Sequence, residues 1–304
     1  MKTALILGGG GARGMAHLGV LRVLEREGIV PDLIVGCSVG AVIGGMYAQN
    51  PDIDAVQNRL QAFFMSKVYD ELNIEVLEKH RDIEEKKDLI HQIVRNAMKR
   101  VMLNLVVSRI SIIKADKVDN VIRFLIDEGN IEDTKIQFAC NATDLTHAQP
   151  VLFTEGDIRF AITASSTIPG YLPPVQHNSQ ILVDGAVTYT LPVKFARTLG
   201  AEFIIAVDVK SRLLPQAKFN NILDVILRAN AITSSLLAEE ASDVADILIL
   251  PPVGDFHWYD FRKMEEIIRA GENAALLRLP EIKEGLKKSE ESFWRRLFRI
   301  RRAG

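Results

Sequence analysis

Short apolar runs recur along the whole chain, and most are followed by a stretch with helical spacing. After the first run, His17, Val20, Leu21 and Leu24 fall on one side of a helix at positions i, i+3, i+4 and i+7. Buried strands that alternate with helices in this way are typical of an α/β protein. The predicted strands cover residues 3–7, 33–35, 136–142, 150–153, 181–183, 203–209 and 245–250, with 150–153 antiparallel to its neighbour.

Residues 51–130 are too many for a single crossover between strands, and most of them predict helices. This helical insertion either packs against the sheet or forms a cap that offers apolar side chains to a substrate, and both interpretations stay open. Two later helices are predicted at about 220–240 and 260–278. One apolar helix face within the insertion is formed by Ile90, Ile93, Val94, Ala97 and Val101.

The C-terminal tail, residues 281–304, has the pattern of a short basic amphipathic helix. Its last 14 residues carry five arginines against one glutamate, whereas the whole chain has a formal net charge of −2. Phe293, Trp294, Leu297 and Phe298 share one side of a helix, which is typical of a segment that lies on a membrane surface. The alternative is a terminal helix that docks these aromatic residues on the core or on a second subunit.

Composition limits the function only broadly. With 304 residues, 48% of them hydrophobic and 25% charged, the chain can form one large domain or two small ones around a sizeable core. The near-neutral net charge gives no indication of nucleic-acid binding. Cys37 and Cys140 do not resemble a disulfide framework, and no cluster with metal-ligand spacing is apparent. The chain opens on a strand without a signal-peptide pattern, and no apolar run reaches the length of a membrane span, so we expect a reduced, cytoplasmic protein.

A nucleophilic serine is predicted in the segment Gly36-Cys37-Ser38-Val39-Gly40. The segment follows a buried strand and precedes an apolar, small-residue helix, which is the context of a nucleophile elbow. Gly36 and Gly40 would leave room where strand and helix nearly touch, and the helix N-terminus would favour negative charge beside Ser38. The alternative is a tight turn with an idle serine, since G-x-S-x-G alone is a weak signal.

A glycine-rich loop, Gly8–Gly14, follows the first strand. Its G-x-G-x-x-G spacing also fits a dinucleotide fingerprint, but the expected acidic residue at the end of the second strand is missing, because Asp32 precedes that strand. No Lys-Ser/Thr follows Gly14, so a P-loop is excluded as well. Both turns follow adjacent strands and are expected to open at the same sheet edge, where the glycine N–H groups could hold an oxyanion opposite Ser38.

These motifs together resemble the patatin-like phospholipase family. The resemblance rests on Gly9-Gly10-Gly11-Ala12-Arg13-Gly14, on His17 and Gly19, and on the serine segment, and it covers about residues 3–210. It implies a three-layer α/β/α sandwich with a mostly parallel sheet. It also implies hydrolysis of phospholipid, lysophospholipid or related esters by a Ser-Asp dyad without a catalytic histidine. We expect one catalytic domain over residues 1–280, without a cofactor or metal. Cys37 departs from the threonine more usual in the family, and residues 164–174 resemble a segment beside its active site.

The same resemblance assigns the remaining site residues. Asp184, in the Asp184-Gly185-Ala186 signature at a strand end, matches the second catalytic residue, although its local pattern also fits a simple Asx turn. The backbone of Gly9, Gly10 and Gly11 is the expected oxyanion hole, and supporting roles are expected for Arg13, Gly14, Gly36, Gly40 and Gly185.

Alternative functions remain at this point. One is an α/β-hydrolase with a Ser-Asp-His triad, for which His257 is the histidine available after Asp184. Another is a lipid- or protein-binding module that has kept an inactive site. The expected partners are a lipid or acyl-ester substrate, an anionic membrane surface at the inner membrane face, and a second copy of the chain.

Overall fold

A mixed eight-stranded sheet forms the centre of the molecule. The computed structural model describes residues 2–72, 111, 113–210, 213, 215, 219 and 222–300. The strands are β1 (Thr3–Leu7), β2 (Leu33–Gly36), β3 (Gln137–Asp144), β4 (Gln149–Phe153), β5 (Val175–His177), β6 (Gln180–Asp184), β7 (Phe203–Val207) and β8 (Ile247–Ile249).

Five strands in the order β3-β2-β1-β7-β8 are parallel, and β4, β5 and β6 pair antiparallel at one end. The mostly parallel sheet is therefore confirmed, as is the antiparallel pairing of β4. Strand β5 was not predicted, because it has only three residues, which are largely exposed and do not form an apolar run.

Helices cover both faces of the sheet, which gives the expected three layers. The strand residues alternate between the faces: Leu5 and Ile34 point into one core, whereas Ala4, Ile6 and Val35 point into the other. The helices are α1 (Ala16–Arg26), α2 (Val39–Gln49), α3 (Ile53–Phe64), α4 (Lys67–Asp70), α5 (Ala115–Leu125), α6 (Ile158–Ser166), α7 (Val193–Thr198), α8 (Ile222–Ser242) and α9 (Met264–Ile300).

The larger core contains buried residues of α1, α2, α3, α5, α6 and α9, and the smaller one contains those of α7 and the end of α8. Helices α3, α4 and α5 are the described parts of the predicted insertion, while residues 73–110, including the apolar face at 90–101, lie outside the described residues. None of the helices in the described ranges has the length and hydrophobicity needed to cross a bilayer.

The last helix differs from its predicted bounds. It was expected over about 260–278, yet α9 runs from Met264 to Ile300 with Pro280 inside it. Proline favours a helix end in sequence analysis because it removes one backbone hydrogen bond. In the folded chain Ile282 is buried beyond the proline, so tertiary packing supports continuation of the helix. Residues 281–300 of the tail therefore continue α9, and the side chains from residue 289 onward, together with residues 301–304, lie outside the described part.

Strand β3 brings two distant segments together. Over residues 140–144 its one edge pairs with β4, so its other edge must carry both β2, at residues 137–140, and β6, at residues 142–144. Strand β2 runs parallel to β3 and β6 antiparallel, so the carboxyl ends of β2 and β6 face each other along that edge. Residues that follow β2 are thus brought next to the last residue of β6.

Candidate active site

Ser38 lies at the sharp turn between β2 and α2. Its backbone has φ 54° and ψ −125°, a conformation that non-glycine residues rarely adopt. The two flanking glycines make the turn fit: a Cβ on Gly36 would lie 2.5 Å from Ala41 Cα, and one on Gly40 would lie 2.1 Å from the Leu7 carbonyl oxygen. The predicted strand-turn-helix geometry around Ser38 is therefore present.

The hydroxyl of Ser38 donates a hydrogen bond to Asp184, the last residue of β6. Ser38 Oγ lies 2.7 Å from Asp184 Oδ2, and the other carboxylate oxygen accepts the N–H of Ala186 at 2.8 Å. Both side chains are in the interior, with Ser38 only 6% and Asp184 only 3% exposed. Gly185 allows the close return of the chain, since a Cβ there would lie 2.4 Å from the Asn141 carbonyl oxygen.

Burial raises the pKa of the Asp184 carboxyl group. Loss of solvation raises its pKa from 3.8 to about 6, against the smaller lowering effect of hydrogen bonds from Ala186 and Ser38. At neutral pH the group is therefore largely ionised and can accept a proton. Such a pKa suits a general base that operates near pH 7.

The glycine loop lies against Ser38. A Cβ on Gly9 would lie 3.3 Å from both Cys37 Sγ and Ser38 Cβ. The N–H of Gly9 donates to the Thr190 carbonyl at 2.9 Å. For the N–H groups of Gly10 and Gly11, the described residues offer no hydrogen-bonded acceptor. The oxyanion role of Gly9, Gly10 and Gly11 stays a prediction, and the structure shows only that the N–H of Gly9 has a partner in the fold.

Arg13 and Gly14 connect the glycine loop to neighbouring segments of the fold. Arg13 donates from Nε to the Val209 carbonyl at 3.1 Å and from Nη1 to the Phe256 carbonyl at 3.2 Å. Burial lowers the pKa of its guanidinium to about 10, which still leaves it charged at neutral pH. A Cβ on Gly14 would lie 2.2 Å from Val39 Cγ1, so this glycine lets the loop approach the start of α2. Both residues thus have a supporting position.

In the described part of the chain, no histidine side chain is hydrogen-bonded to Ser38 or Asp184. His17 is buried and donates from Nε2 to the Gly8 carbonyl at 2.8 Å, and burial lowers its pKa to about 4. His257 is exposed and stacks on Tyr259. Asp208, which lies just after β7, accepts the N–H of Lys210 at 3.0 Å.

The hydrogen bonds made by the backbone N–H groups of Ser38 and Asp184 were not predicted from the sequence. Ser165 Oγ accepts the N–H of Ser38 at 3.0 Å, and the Thr167 carbonyl accepts the N–H of Asp184 at 2.9 Å. The resemblance of residues 164–174 to a segment beside the site was the available signal, but it does not indicate which atoms form hydrogen bonds.

Cys37 is buried and free, and its Sγ lies 4.0 Å from Asp184 Oδ1. The described residues contain no group of three metal-ligating side chains.

Comparison with known proteins identifies related sequences across most of the chain. A family model described as "Patatin-like phospholipase" matches residues 5–197. "Lysophospholipase NTE1" of Debaryomyces hansenii is 29% identical, over 89% of this chain and 17% of that protein. "Patatin-like phospholipase domain-containing protein ZK370.4" of Caenorhabditis elegans is 30% identical, over 88% of this chain and 20% of that protein. The chain therefore spans only about a fifth of the length of these curated relatives.

Solved structures give weaker similarity. VipD from Legionella pneumophila matches with a TM-score of 0.45 and 12% identity, over 92% of this chain and 67% of that one. The type III effector ExoU matches with a TM-score of 0.37 and 14% identity, over 92% of this chain and 53% of that one. Similarity at this level carries no information on activity.

Proposed function

Since the chain belongs to the patatin-like phospholipase family, as the match over residues 5–197 shows, we propose that it is a serine hydrolase of lipid acyl esters with a Ser-Asp dyad. The observation that carries this proposal is the 2.7 Å hydrogen bond from Ser38 Oγ to Asp184 Oδ2 at a buried elbow. A serine hydroxyl is a poor nucleophile at neutral pH and needs a base within hydrogen-bond reach. Asp184 is that base.

Acylation begins when Ser38 Oγ attacks the ester carbonyl carbon and its proton passes to Asp184. The carbonyl oxygen becomes negatively charged, and the N–H groups of Gly10 and Gly11 stabilise it together with the N-terminal dipole of α2. The tetrahedral intermediate then expels the alcohol, which takes the proton from Asp184. An acyl ester on Ser38 remains.

Deacylation repeats the sequence with water. Asp184 takes a proton as water attacks the acyl carbonyl, and the second tetrahedral intermediate collapses with release of the fatty acid. The proton returns to Ser38 Oγ, so the enzyme is unchanged after each turnover. Loss of one oxyanion donor typically lowers the rate of such a reaction by about two to three powers of ten.

The alternatives have less support. A Ser-Asp-His triad requires a histidine between serine and aspartate, whereas here the two side chains are hydrogen-bonded directly. An inactive binding module gives no reason for a strained serine paired with a carboxyl group whose pKa is raised to about 6.

The substrate and location belong to the proposal as well. The names of the relatives, lysophospholipase and patatin-like phospholipase, favour a phospholipid or lysophospholipid ester. We propose a cytoplasmic protein that meets the inner membrane face through its basic tail.

A fluorophosphonate probe tests the nucleophile. We expect it to label Ser38 covalently, since an activated serine attacks phosphorus as it attacks a carbonyl carbon, and we expect Ser38→Ala to lose both labelling and hydrolysis of a short-chain p-nitrophenyl ester. Mass spectrometry of the labelled peptide identifies the site. Ser179→Ala, which changes an exposed serine, is the control and should label like wild type. Labelling at another residue, or folded wild-type protein that stays unlabelled, would contradict the proposal.

A further inference from the structure

We infer that Ser165 is a positioning residue for the nucleophile: its hydroxyl holds the backbone N–H of Ser38 and thereby keeps Ser38 Oγ on Asp184. This inference rests on the proposed function. Ser165 lies in the last turn of α6, is fully buried, and accepts the Ser38 N–H at 3.0 Å. Ser165 is 127 residues from Ser38 in sequence, so no local sequence pattern predicts this hydrogen bond.

The carbonyl and the N–H of Ser38 differ in the number of hydrogen bonds that they form. Its carbonyl accepts the N–H groups of Ala41 at 2.8 Å and Val42 at 3.1 Å, as well as the hydroxyl of Ser166 at 3.3 Å. Its N–H has one acceptor in the described part of the chain, the hydroxyl of Ser165. The serine carbonyl therefore tolerates the loss of one partner, whereas the N–H does not.

The conformation of Ser38 makes this single contact important. A non-glycine residue at φ 54° is strained and keeps that conformation only when its surroundings hold it there. On one side α2 holds the residue through the carbonyl, and on the other Ser165 holds the N–H. Without the second contact the peptide before Ser38 can rotate toward a relaxed conformation. The Oγ atom then moves away from the carboxylate of Asp184.

The turn Ser165–Thr167 holds both members of the dyad. The carbonyl of Thr167 accepts the N–H of Asp184 at 2.9 Å, and Ser165 accepts that of Ser38. Because the Thr167 contact uses the main chain, a side-chain change at Ser165 alters the support of the serine alone. Misplacement of a reacting atom by about 1 Å can lower a rate about 100-fold.

The matched variants are Ser165→Thr and Ser165→Val. The two side chains have the same shape, so any packing cost in the buried site is shared, and they differ in the hydroxyl that accepts the hydrogen bond. We expect Ser165→Val to label with fluorophosphonate about 10 to 100 times more slowly than Ser165→Thr. We expect kcat for a short-chain ester to fall by the same factor while KM stays within about twofold. Ser166→Ala, next to it, should lose less than about threefold.

Endpoint and rate of labelling separate positioning from a general loss of structure. If the role is positioning, each variant reaches the same final stoichiometry, and only the rate differs. If Ser165 is merely structural, Ser165→Val shows a smaller labelled fraction that reacts at the rate of Ser165→Thr. The inference would be overturned if Ser165→Val shows such a smaller labelled fraction reacting at the rate of Ser165→Thr. It would also be overturned if the two variants are labelled at equal rates to the same final stoichiometry.

Hydrogen exchange provides a readout that does not depend on activity. The amide of Ser38 should be protected in wild type and Ser165→Thr, and should exchange at least about tenfold faster in Ser165→Val. Wild-type protein that neither labels nor hydrolyses esters would contradict the proposed function, whereas unequal exchange would still support the contact. Equal exchange in both variants would overturn the positioning role whatever the activity.

Discussion

At the scale of single residues, the proposed mechanism depends on Ser38, Asp184 and Ser165. The serine is strained and buried, the aspartate is buried with a pKa raised to about 6, and the second serine satisfies the N–H of the first. The strained serine and the buried aspartate are each unfavourable for stability, whereas the hydrogen bond to Ser165 is favourable. A strained backbone costs about 1–3 kcal/mol, and a buried ionised carboxyl is also costly. Their combination at one point is what an active site requires.

The pH dependence of activity follows from Asp184. We expect log kcat/KM to rise with pH with an apparent pKa near 6, since in the proposed mechanism the carboxylate is the base that accepts the Ser38 proton. A histidine base could produce a similar profile, so the measurement is repeated with His257→Ala and His17→Gln. Both should stay within about tenfold of wild type and keep the profile. Collapse of activity in folded His257→Ala would favour a triad instead.

The same shift predicts a gain of stability in Asp184→Asn. Because the folded-state pKa of about 6 lies above the usual 3.8, the fold favours the protonated carboxyl, and the stability this group contributes is lost as pH rises through about 6. At pH 8 the neutral amide avoids the buried charge. Two pKa units correspond to at most about 3 kcal/mol. Thermal unfolding at pH 8 should show a higher Tm for the variant, and the difference should shrink by pH 4. A Tm gain that is equal at both pH values would refute this explanation.

At the scale of elements, helix α9 packs against α1 at very short range. A Cβ on Gly271 would lie 2.0 Å from the Ala16 carbonyl oxygen, and one on Gly19 would lie 2.1 Å from the Ile268 carbonyl oxygen. The glycines therefore permit backbone contact between the helices. Helix α1 follows directly on the glycine loop, so this packing also supports the position of the loop.

Gly271→Ala tests this contact, because two effects oppose each other. Alanine has the higher helix propensity by about 1 kcal/mol, but overpacking against backbone typically costs about 1–3 kcal/mol. We expect overpacking to dominate, and thus a lower Tm in thermal unfolding. Leu277→Ala, at a position on the same helix that is 79% exposed, should leave the Tm nearly unchanged. A rise in Tm for Gly271→Ala would mean that the helices separate at little cost.

On the scale of the whole molecule, the question is how an otherwise ordinary α/β domain meets a lipid. The chain has a net charge of −2, while its last 14 residues carry five arginines and one glutamate. The backbone of α9 continues to Ile300, so residues 291–300 of this basic segment belong to the same helix. We propose that this basic segment recruits the protein to an anionic membrane surface.

Deletion of residues 291–304 tests the tail. Each arginine near an anionic surface contributes about 1 kcal/mol, so we expect weaker sedimentation with phosphatidylglycerol vesicles while hydrolysis of a soluble short-chain ester persists. Added salt should weaken vesicle binding of the full-length chain, because screening reduces the attraction. A variant that binds vesicles normally but dissociates or unfolds would show that the tail is a packing element of the core or of a second subunit.

The sequence by itself determined the local features. The apolar runs predicted most of the strands, and Gly36, Ser38 and Gly40 predicted the elbow, because such turns depend on neighbouring residues and on side-chain size. Asp184 was found through the family signature, since its local pattern fits a simple turn equally well. The end of α9 was predicted too early, because helical spacing is a local pattern whereas the burial of Ile282 depends on distant segments.

Only the tertiary structure decided how these features meet. Ser38 and Asp184 are 146 residues apart, and they touch because β2 and β6 share one edge of β3. The same packing engages the N–H of Gly9 with Thr190 and leaves those of Gly10 and Gly11 without an acceptor in the described part of the chain. It also raises the pKa of Asp184, which depends on burial by distant segments. Hydrogen-bond partners and solvation are properties of the assembled fold, so a pattern of neighbouring residues cannot specify them.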